Sequence, residues 1–286
     1  MIYSIENGNT SAKIEDLGAQ LVSFKIDQKE YIRKRDEVWK SCSPLLFPIV
    51  GLLKDNYTLI DGKRYEMTSH GFIRNRVLKV YEKSLDSITF VDTFDDFTLS
   101  KWPFKYKFFV TYTLFEDKIS VSMKVMNVDE RDMYFNIGGH PGVVCPLENG
   151  EEFSDYSLVF DKEETFDSPK IVGNCVDFDH PEFKFEKVNN IKLDYKYFMI
   201  DAIVIRDILS SEVRLLNKSN KGYIFKWNGF NTVAFWAKPN QKFLCFEPWK
   251  GYADLYDTNN EFMTKPDLVK LAPNETKEFK YSVEVL

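Results

Sequence analysis

The alternation of apolar and polar side chains over Lys118–Met126 is the feature that most restricts how this chain can fold. In this segment Ile119, Val121, Met123 and Val125 alternate with lysines and serines. A repeat of two places successive side chains on opposite faces, as in a strand with one buried and one solvated face. No segment longer than about ten residues has the apolar spacing of a helix. The sequence therefore predicts an all-β protein.

Further apolar runs, separated by turn residues, extend this pattern along the chain. Asn7-Gly8 and Asp61-Gly62 are strong turn signals between strands, and the second lies within a hairpin predicted over residues 54–75. The chain is 44% hydrophobic and holds 25 Phe, 15 Tyr and 5 Trp, enough for a large core. We therefore expect a single domain over residues 1–286, built as a large sandwich of two packed sheets. The other predicted strands lie in segments 2–26, 84–94, 118–126, 200–206, 213–216, 222–227, 233–237, 243–246 and 279–286.

Four segments are predicted to depart from regular strands. Residues 29–40 are charged, so we expect them to be exposed, and residues 43–51 hold two prolines around an apolar run, which indicates an irregular buried segment. Residues 95–100 are expected to form at most a helical turn. Residues 148–190 are acidic and contain short β-like pieces, which favours connecting loops and edge hairpins, with His180 exposed and without a role.

The net charge of −6, with both signs interspersed, argues against a nucleic-acid partner and against an anionic membrane surface. No run of about 18 apolar residues is present to span a membrane. Met1–Ile5 already resembles a strand, not a secretory leader, so we expect a cytoplasmic protein. The four cysteines lack CxxC spacing, which predicts neither a zinc site nor a disulfide framework. The number of subunits stays open.

His140 stands in the segment Asn136–Gly142, behind two glycines and before a proline. Glycines let backbone approach closely, and Pro141 restricts His140 to an extended or turn conformation. A histidine held at a strand end could transfer protons near neutral pH. A hydrogen-bonded histidine in a tight loop is an equally good interpretation of this segment alone.

Glu247 ends the apolar run 243–246 and is followed by Pro248 and Trp249. A carboxylate in this position is costly unless it faces a polar cavity or a partner. Partial desolvation would raise its pKa and make it a better base. The alternative is an ion pair with a loop cation such as Lys250.

His70, Asp201, Arg74 and Arg76 are further candidates, each with a structural alternative. His70 could be a turn histidine satisfied by backbone, and Asp201 a strand-end residue that marks a turn. The arginines could bind a carboxylate, a phosphate or a sugar hydroxyl, although arginines are usually solvated. No histidine pair has short metal-ligand spacing, and no Gly-x-Ser-x-Gly elbow is present, so we expect neither a metal nor a serine hydrolase.

Taken together, these segments resemble the aldose 1-epimerase (galactose mutarotase-like) family, and more closely its LacX-like branch. The resemblance runs over almost the full chain and depends on the order of the motifs as well as on the all-β pattern between them. The matching segments are Asp16-Leu17-Gly18-Ala19, Leu46-Phe47-Pro48-Ile49-Val50-Gly51, His70-Gly71-Phe72, Asn136-Ile137-Gly138-Gly139-His140-Pro141-Gly142 and Cys245-Phe246-Glu247-Pro248-Trp249.

The resemblance implies a β-supersandwich that acts on a small-molecule sugar in a cleft. Glu247 would take the proton of the anomeric hydroxyl, and His140 would protonate the ring oxygen from the opposite side of a space wide enough for one sugar ring. His70, Asp201 and Trp249 would contact the sugar. Only proton transfer and positioning are needed, so no cofactor is expected.

One position departs from the resemblance. Related sequences tend to carry an arginine after Pro-Ile-Val-Gly, where this chain has Leu52. Lys54 or Arg74 could take over contacts with the sugar, although lysine is not an equivalent fork donor. Two alternatives therefore stay beside a mutarotase: a sugar-phosphate epimerase, with Lys54, Arg74 or Arg76 lining the cleft, and a non-catalytic carbohydrate-binding or sensor protein.

Overall fold

The structure is a computed structural model, and it describes residues 1–173 and 175–286. Strand accounts for 54% of the chain and helix for 8%, which confirms the prediction of an all-β protein. The strands are, in chain order, β1 (Ile2–Asn7), β2 (Thr10–Glu15), β3 (Gln20–Ile26), β4 (Lys29–Glu30), β5 (Leu45–Leu46), β6 (Tyr57–Ile60), β7 (Lys63–Glu66), β8 (Lys79–Lys83), β9 (Ser87–Thr93), β10 (Tyr106–Phe115), β11 (Lys118–Asn127), β12 (Met133–Phe135), β13 (Ile137–Gly139), β14 (Gly142–Val144), β15 (Ser157–Val172), β16 (Cys175–Lys192), β17 (Ile203–Arg206), β18 (Glu212–Leu216), β19 (Gly222–Asn228), β20 (Thr232–Trp236), β21 (Phe243–Lys250), β22 (Val269–Leu271) and β23 (Thr276–Val285).

The helical elements are short and lie in connections. The α-helix α1 (Asp96–Lys101) is capped by Asp95, whose carboxylate accepts the Thr98 N–H at 2.9 Å, in agreement with the predicted helical turn. In the described part of the chain no helix has the length and apolar character needed to cross a membrane. The 3₁₀ turns are Lys54–Asn56, Ile73–Asn75, Phe153–Asp155, Tyr195–Phe198 and Phe262–Thr264.

Two large sheets form the body of the fold, as the sandwich prediction required. The nine-stranded sheet has the order β16-β15-β18-β19-β23-β11-β10-β9-β8, and the six-stranded sheet has the order β17-β20-β21-β13-β5 with β14 beside β21. Phe225 of the first sheet stacks on Phe246 of the second at 4.8 Å between ring centroids, with 6° between the ring planes. This aromatic contact places a core between the two sheets. A four-stranded sheet (β1-β2-β3-β4) and the pairs β12–β22 and β6–β7 complete the described fold.

Local sequence patterns agree with the strands that they predicted. In β11 the four predicted core residues are at most 1% exposed: Ile119, Val121, Met123 and Val125. This strand pairs with β10 and β23. The hairpin β6–β7 turns at Asp61 and Gly62, whose φ angles of 51° and 71° are those that a tight hairpin turn requires. The segment 43–51 is buried and contains only the two-residue β5, as predicted from its prolines.

Two predictions about segments hold only in part. Residues 34–38 are exposed as predicted, but Ile32 is fully buried and Arg33 is 5% exposed. Arg33 tolerates burial since its guanidinium donates to the carbonyls of Trp39 and Ser41 at 2.7 and 3.0 Å and pairs with Asp36. A lysine- and arginine-rich segment thus folds inward around one satisfied charge.

The segment 148–190 forms a long hairpin, not mainly loops. Strands β15 and β16 have 16 and 18 residues and pair with each other at the edge of the nine-stranded sheet, so the predicted edge hairpin is present but much longer than expected. Their pairing shifts register at four places, and each shift breaks the alternation that identifies a strand in sequence. Ile171 of β15 and Val176 of β16 line the cavity described next.

Candidate active site

A cavity of about 390 Å³ lies on the face of the six-stranded sheet that points away from the main core. Its size falls within the roughly 300–1,000 Å³ typical of small-molecule sites. The polar residues that line it are Ser69, His70, His140, Asp201 and Glu247, and its aromatic residues are Trp39, Trp236 and Trp249.

Glu247 points into this cavity because side chains of strand β21 alternate between the two faces of the sheet. Leu244 and Phe246 point into the main core, whereas Glu247 and Trp249 line the cavity. In the neighbouring strand Ala234 stands directly opposite Glu247. A small residue next to the carboxylate leaves room above the sheet for a ligand.

His140 follows strand β13, which lies beside β21. Gly138 is opposite Trp249, and a Cβ at this position would lie 2.7 Å from the Trp249 ring. Only glycine lets the two strands approach this closely with the indole between them. After His140, the Pro141 carbonyl accepts the Phe246 N–H at 3.0 Å, which holds the histidine segment to the strand of Glu247.

His140 and Glu247 are in direct contact: Nε2 lies 3.1 Å from Oε1. The two residues are 7% and 2% exposed. Burial, followed by the nearby Asp201 charge, holds the pKa of Glu247 well above its usual value. Burial, followed by the neighbouring His70 and Arg74, holds the pKa of His140 well below its usual value. A hydrogen bond between Nε2 and Oε1 needs one proton, and both pKa shifts favour the form in which Glu247 carries it.

This geometry corrects two sequence interpretations. Glu247 does not pair with Lys250, whose ammonium lies 3.7 Å from Asp267 instead. Nor do Glu247 and His140 face each other across a space for a sugar ring. They are neighbours because the tight approach of β13 to β21 places the end of one strand beside the middle of the other.

His70 lies close to the pair, with its ring centroid 5.7 Å from that of His140. Its ring Nδ1 accepts the Gly51 backbone N–H at 3.1 Å, and the backbone N–H of His70 donates to the Gly51 carbonyl at 2.7 Å. Burial, with a further contribution from Arg74, lowers the pKa of His70 to about 3. Because Nδ1 is an acceptor, the neutral ring carries its proton on Nε2 and can donate it to a ligand. His70 is thus both backbone-satisfied and part of the cavity.

Asp201 and the tryptophans surround the pair. Asp201 lines the cavity, and partial desolvation raises the pKa of its carboxyl. The rings of Trp39 and Trp236 lie 5.1 and 5.7 Å from the His140 ring. Flat aromatic surfaces of this kind pack against the apolar faces of sugar rings.

Sequence reasoning missed Trp39, Trp236 and Ser69. Trp39 was assigned to an exposed charged segment, yet its ring packs on Phe243 at 5.6 Å and lines the cavity. A lone tryptophan among charged residues was the signal, since so large an apolar surface is rarely left in water. Trp236 follows Ala234 by two positions, which places both on the cavity face of β20.

The remaining candidates lie away from the lining. Lys54 donates to the Tyr256 carbonyl at 2.9 Å, and Arg76 binds Asp92 at 2.7 Å. Arg74 is not among the lining residues either, although its charge lowers the pKa of both nearby histidines. His180 is 78% exposed, as predicted, and pairs with Asp177.

His140, Cys245 and Glu247 could in principle hold a metal ion, since their donor atoms lie within 4.8 Å of one another. A thiol must lose its proton to bind metal, and burial holds the pKa of Cys245 well above its usual value. The other two side chains already bind each other. The donor set therefore fits a proton-sharing pair better than a metal centre. All four cysteines are buried and free.

The rest of the lining is apolar and forms what we call the aliphatic wall. Most of its members belong to one apolar cluster that also includes Trp249. The wall consists of Leu52, Ile171, Val176, Ala202, Val204 and Ala253.

Comparisons with known proteins agree with this architecture. The sequence profile of the family described as Aldose 1-epimerase matches residues 1–284. Protein LacX, plasmid, of Lactococcus lactis subsp. lactis is 30% identical over 298 residues, covering 100% of both chains. A galactose mutarotase related enzyme from Lactobacillus acidophilus has a TM-score of 0.93 and 27% identity, covering 100% of this chain and 97% of its own. A galactose mutarotase-like protein from Lactobacillus casei has a TM-score of 0.92 and 25% identity, with 100% of both chains covered.

Proposed function

Because the chain belongs to the aldose 1-epimerase family, we propose that it interconverts the α and β anomers of a hexose or related sugar by acid–base opening of the ring. The family is one of isomerases that act on sugars. The observation that carries the proposal for this chain is the buried His140–Glu247 pair, with 3.1 Å between Nε2 and Oε1, at a cavity lined by three tryptophans.

The contact between the two side chains suits chemistry at an anomeric carbon. The hydroxyl oxygen and the ring oxygen are bonded to the same carbon, so they are separated by a single bond angle. An acid and a base that must reach these two oxygens should be neighbours, as His140 and Glu247 are. General acid–base catalysis also requires each group to lie within hydrogen-bond reach of its proton.

Glu247 and His140 supply and take up all the protons that the reaction moves. Glu247 takes the proton of the anomeric hydroxyl while His140 gives a proton to the ring oxygen. The bond between the anomeric carbon and the ring oxygen breaks, and the former hydroxyl becomes a carbonyl. After rotation about the neighbouring carbon–carbon bond, the ring hydroxyl adds to the other face of the carbonyl. Both protons then return, so that the pair is regenerated.

The pKa shifts determine which form of the pair is present before the sugar binds. The charged form, imidazolium with carboxylate, begins ring opening, and the uncharged form begins ring closure. Burial raises the pKa of Glu247 and lowers that of His140, which favours the uncharged form in the empty cavity. Ring opening therefore requires the shared proton to move from Glu247 to His140 when the sugar is bound. His70 would donate from Nε2 to a sugar oxygen, Asp201 would accept from a hydroxyl, and Trp249 would pack on the ring.

The sugar-phosphate alternative lacks support, because none of Lys54, Arg74 and Arg76 is among the residues that line the cavity. The non-catalytic alternative keeps the same cavity and needs a kinetic test. Freshly dissolved pure α-anomers of several sugars are followed by polarimetry with and without the protein. We expect anomerisation faster than in buffer for at least one sugar. Binding of a sugar without any acceleration would refute the enzyme and support the binder.

A further inference from the structure

The cavity lining has two chemically different components. Ser69, His70, His140, Asp201 and Glu247 provide hydrogen-bond donors and acceptors. The side chains of the aliphatic wall provide none. A sugar in this cavity therefore meets both hydrogen-bonding groups and hydrocarbon.

The six-stranded sheet places part of the wall directly beside the proton-sharing pair. Val204 stands opposite Ala234, and Ala234 stands opposite Glu247. Side chains that face each other in adjacent antiparallel strands point to the same face of the sheet. Hydrocarbon thus continues from Glu247 across two neighbouring strands.

Ile171 of β15 and Val176 of β16 supply another part of the wall. Main-chain hydrogen bonds hold Val176 in place. The Val176 N–H donates to the Asp254 carbonyl at 2.9 Å, and the Tyr256 N–H donates to the Val176 carbonyl at 3.0 Å. Asp254 follows Ala253 of the wall and also donates from its N–H to the Leu52 carbonyl at 3.0 Å. Three separate segments are therefore tied together, so the wall exists before a ligand enters.

The charges of the lining residues also bear on which sugar the cavity would bind. Among the described residues that line the cavity there is no lysine or arginine, whereas Asp201 and Glu247 are acids. A phosphate or carboxylate on the sugar would lie near the Asp201 carboxylate, and Arg74, the cation that acts on the two histidines, is not among the lining residues. The cavity therefore suits an uncharged sugar.

From this distribution we infer that the preferred substrate is a 6-deoxyhexose, a neutral pyranose with a methyl group in place of the hydroxymethyl. The inference rests on the proposed function. The carbon that bears this group is bonded to the ring oxygen, so the group stays within two bonds of the oxygen that meets His140. A methyl packs on the aliphatic wall, whereas a hydroxyl in that position would lose its bonds to water and gain no partner there.

The test uses sugar pairs that differ only at this group. Pure α-anomers of D-galactose and D-fucose, and of D-glucose and 6-deoxy-D-glucose, are followed by polarimetry with the intact protein. A hydrophobic pocket discriminates by a factor of about 10 to 10² for one such group, so kcat/KM for the deoxy sugar should exceed that of its partner by that factor. D-Glucose 6-phosphate should be the poorest substrate. Equal or better use of the hydroxylated or phosphorylated sugar would overturn the inference.

Binding measured in parallel separates this inference from the proposed function. Three tryptophans line the cavity, so quenching of indole fluorescence reports sugar binding without turnover. Acceleration without deoxy preference would leave the proposed function standing and overturn the inference. Tighter binding of the deoxy sugars without acceleration would refute the proposed function and leave the deoxy preference as a property of binding alone.

Leu52 offers a variant and a matched control, because it is only half-buried and lies in a loop. Leu52→Arg adds fork donors to the wall and should reduce the deoxy preference at least threefold, whereas Leu52→Met keeps the wall apolar and should preserve it. An unchanged preference in Leu52→Arg, with the variant folded by circular dichroism, would count against the wall as its source.

Discussion

Replacement of Glu247 by glutamine tests the proton-sharing pair most directly, because it should lower activity and alter stability in predictable directions. Glutamine has nearly the same size and can still bond His140, but it cannot take a proton. A positioned base contributes a factor of about 10² to 10⁴, so the anomerisation rate should fall by that factor. The loss corresponds to roughly 3–5 kcal/mol of transition-state stabilisation. Sugar affinity should change much less, since an amide still bonds a hydroxyl.

The effect on stability follows from the raised pKa of Glu247. The folded protein holds this proton more tightly than the unfolded chain, so its contribution is full below the unfolded pKa. The contribution is lost as the pH rises through the folded value, by up to about 1.4 kcal/mol per pH unit. In Glu247→Gln this loss is absent. The variant should therefore unfold at the same or a higher urea concentration than wild type at neutral pH.

Polarimetry and urea unfolding at several pH values, on the same samples, check both expectations. Glu278→Gln is the matched control. Glu278 lies on the outer face of the nine-stranded sheet, where it contacts Ser122 and Lys280. Its replacement by glutamine should leave the anomerisation rate unchanged. If Glu247→Gln kept more than a third of the rate, or lost stability with rising pH as wild type does, the assignment of a shared proton to this residue would be wrong.

Three other predictions follow from the same structure. The pH–rate profile should be bell-shaped, with its acid limb well below pH 6.5, because burial lowers the pKa of His140; an acid limb at 6.5 or above would contradict the burial argument. Activity should survive prolonged treatment with EDTA, since the mechanism needs only proton transfer; loss that one divalent ion restores would favour a metal centre. Lys265→Ala should lower the free energy of unfolding by about 3–5 kcal/mol, because it leaves Asp254 buried after removing a partner at 2.6 Å. Lys184→Ala, at an exposed pair with Asp167, should cost less than about 1 kcal/mol in the same urea titration; similar losses in both would refute this.

The sequence alone determined the fold class and the segments that carry the chemistry. Alternation identified β11, and the turn signals identified the hairpin at Asp61-Gly62. Both are local properties, since a period of two and a left-handed turn involve residues close together in the chain. The same local reasoning singled out His140 and Glu247 from their glycine and proline neighbours.

Local patterns failed where neighbours come from distant segments. The register shifts in β15–β16 removed the alternation, and the charged segment around Arg33 concealed a buried residue and the cavity-lining Trp39. In both places pairing with other elements outweighed local preference. β-structure depends especially strongly on such context.

Tertiary structure also decided how His140 and Glu247 lie relative to each other. More than a hundred residues separate His140 from Glu247, and their 3.1 Å contact exists because Gly138 lets β13 lie against Trp249 of β21. The shifted pKa values follow from that burial and from Asp201 and Arg74, which other segments contribute. Residue identities determine which groups can exchange protons, but only the pairing of strands determines which groups share one. Desolvation and Coulomb interactions depend on distances in space, and sequence separation does not specify those distances.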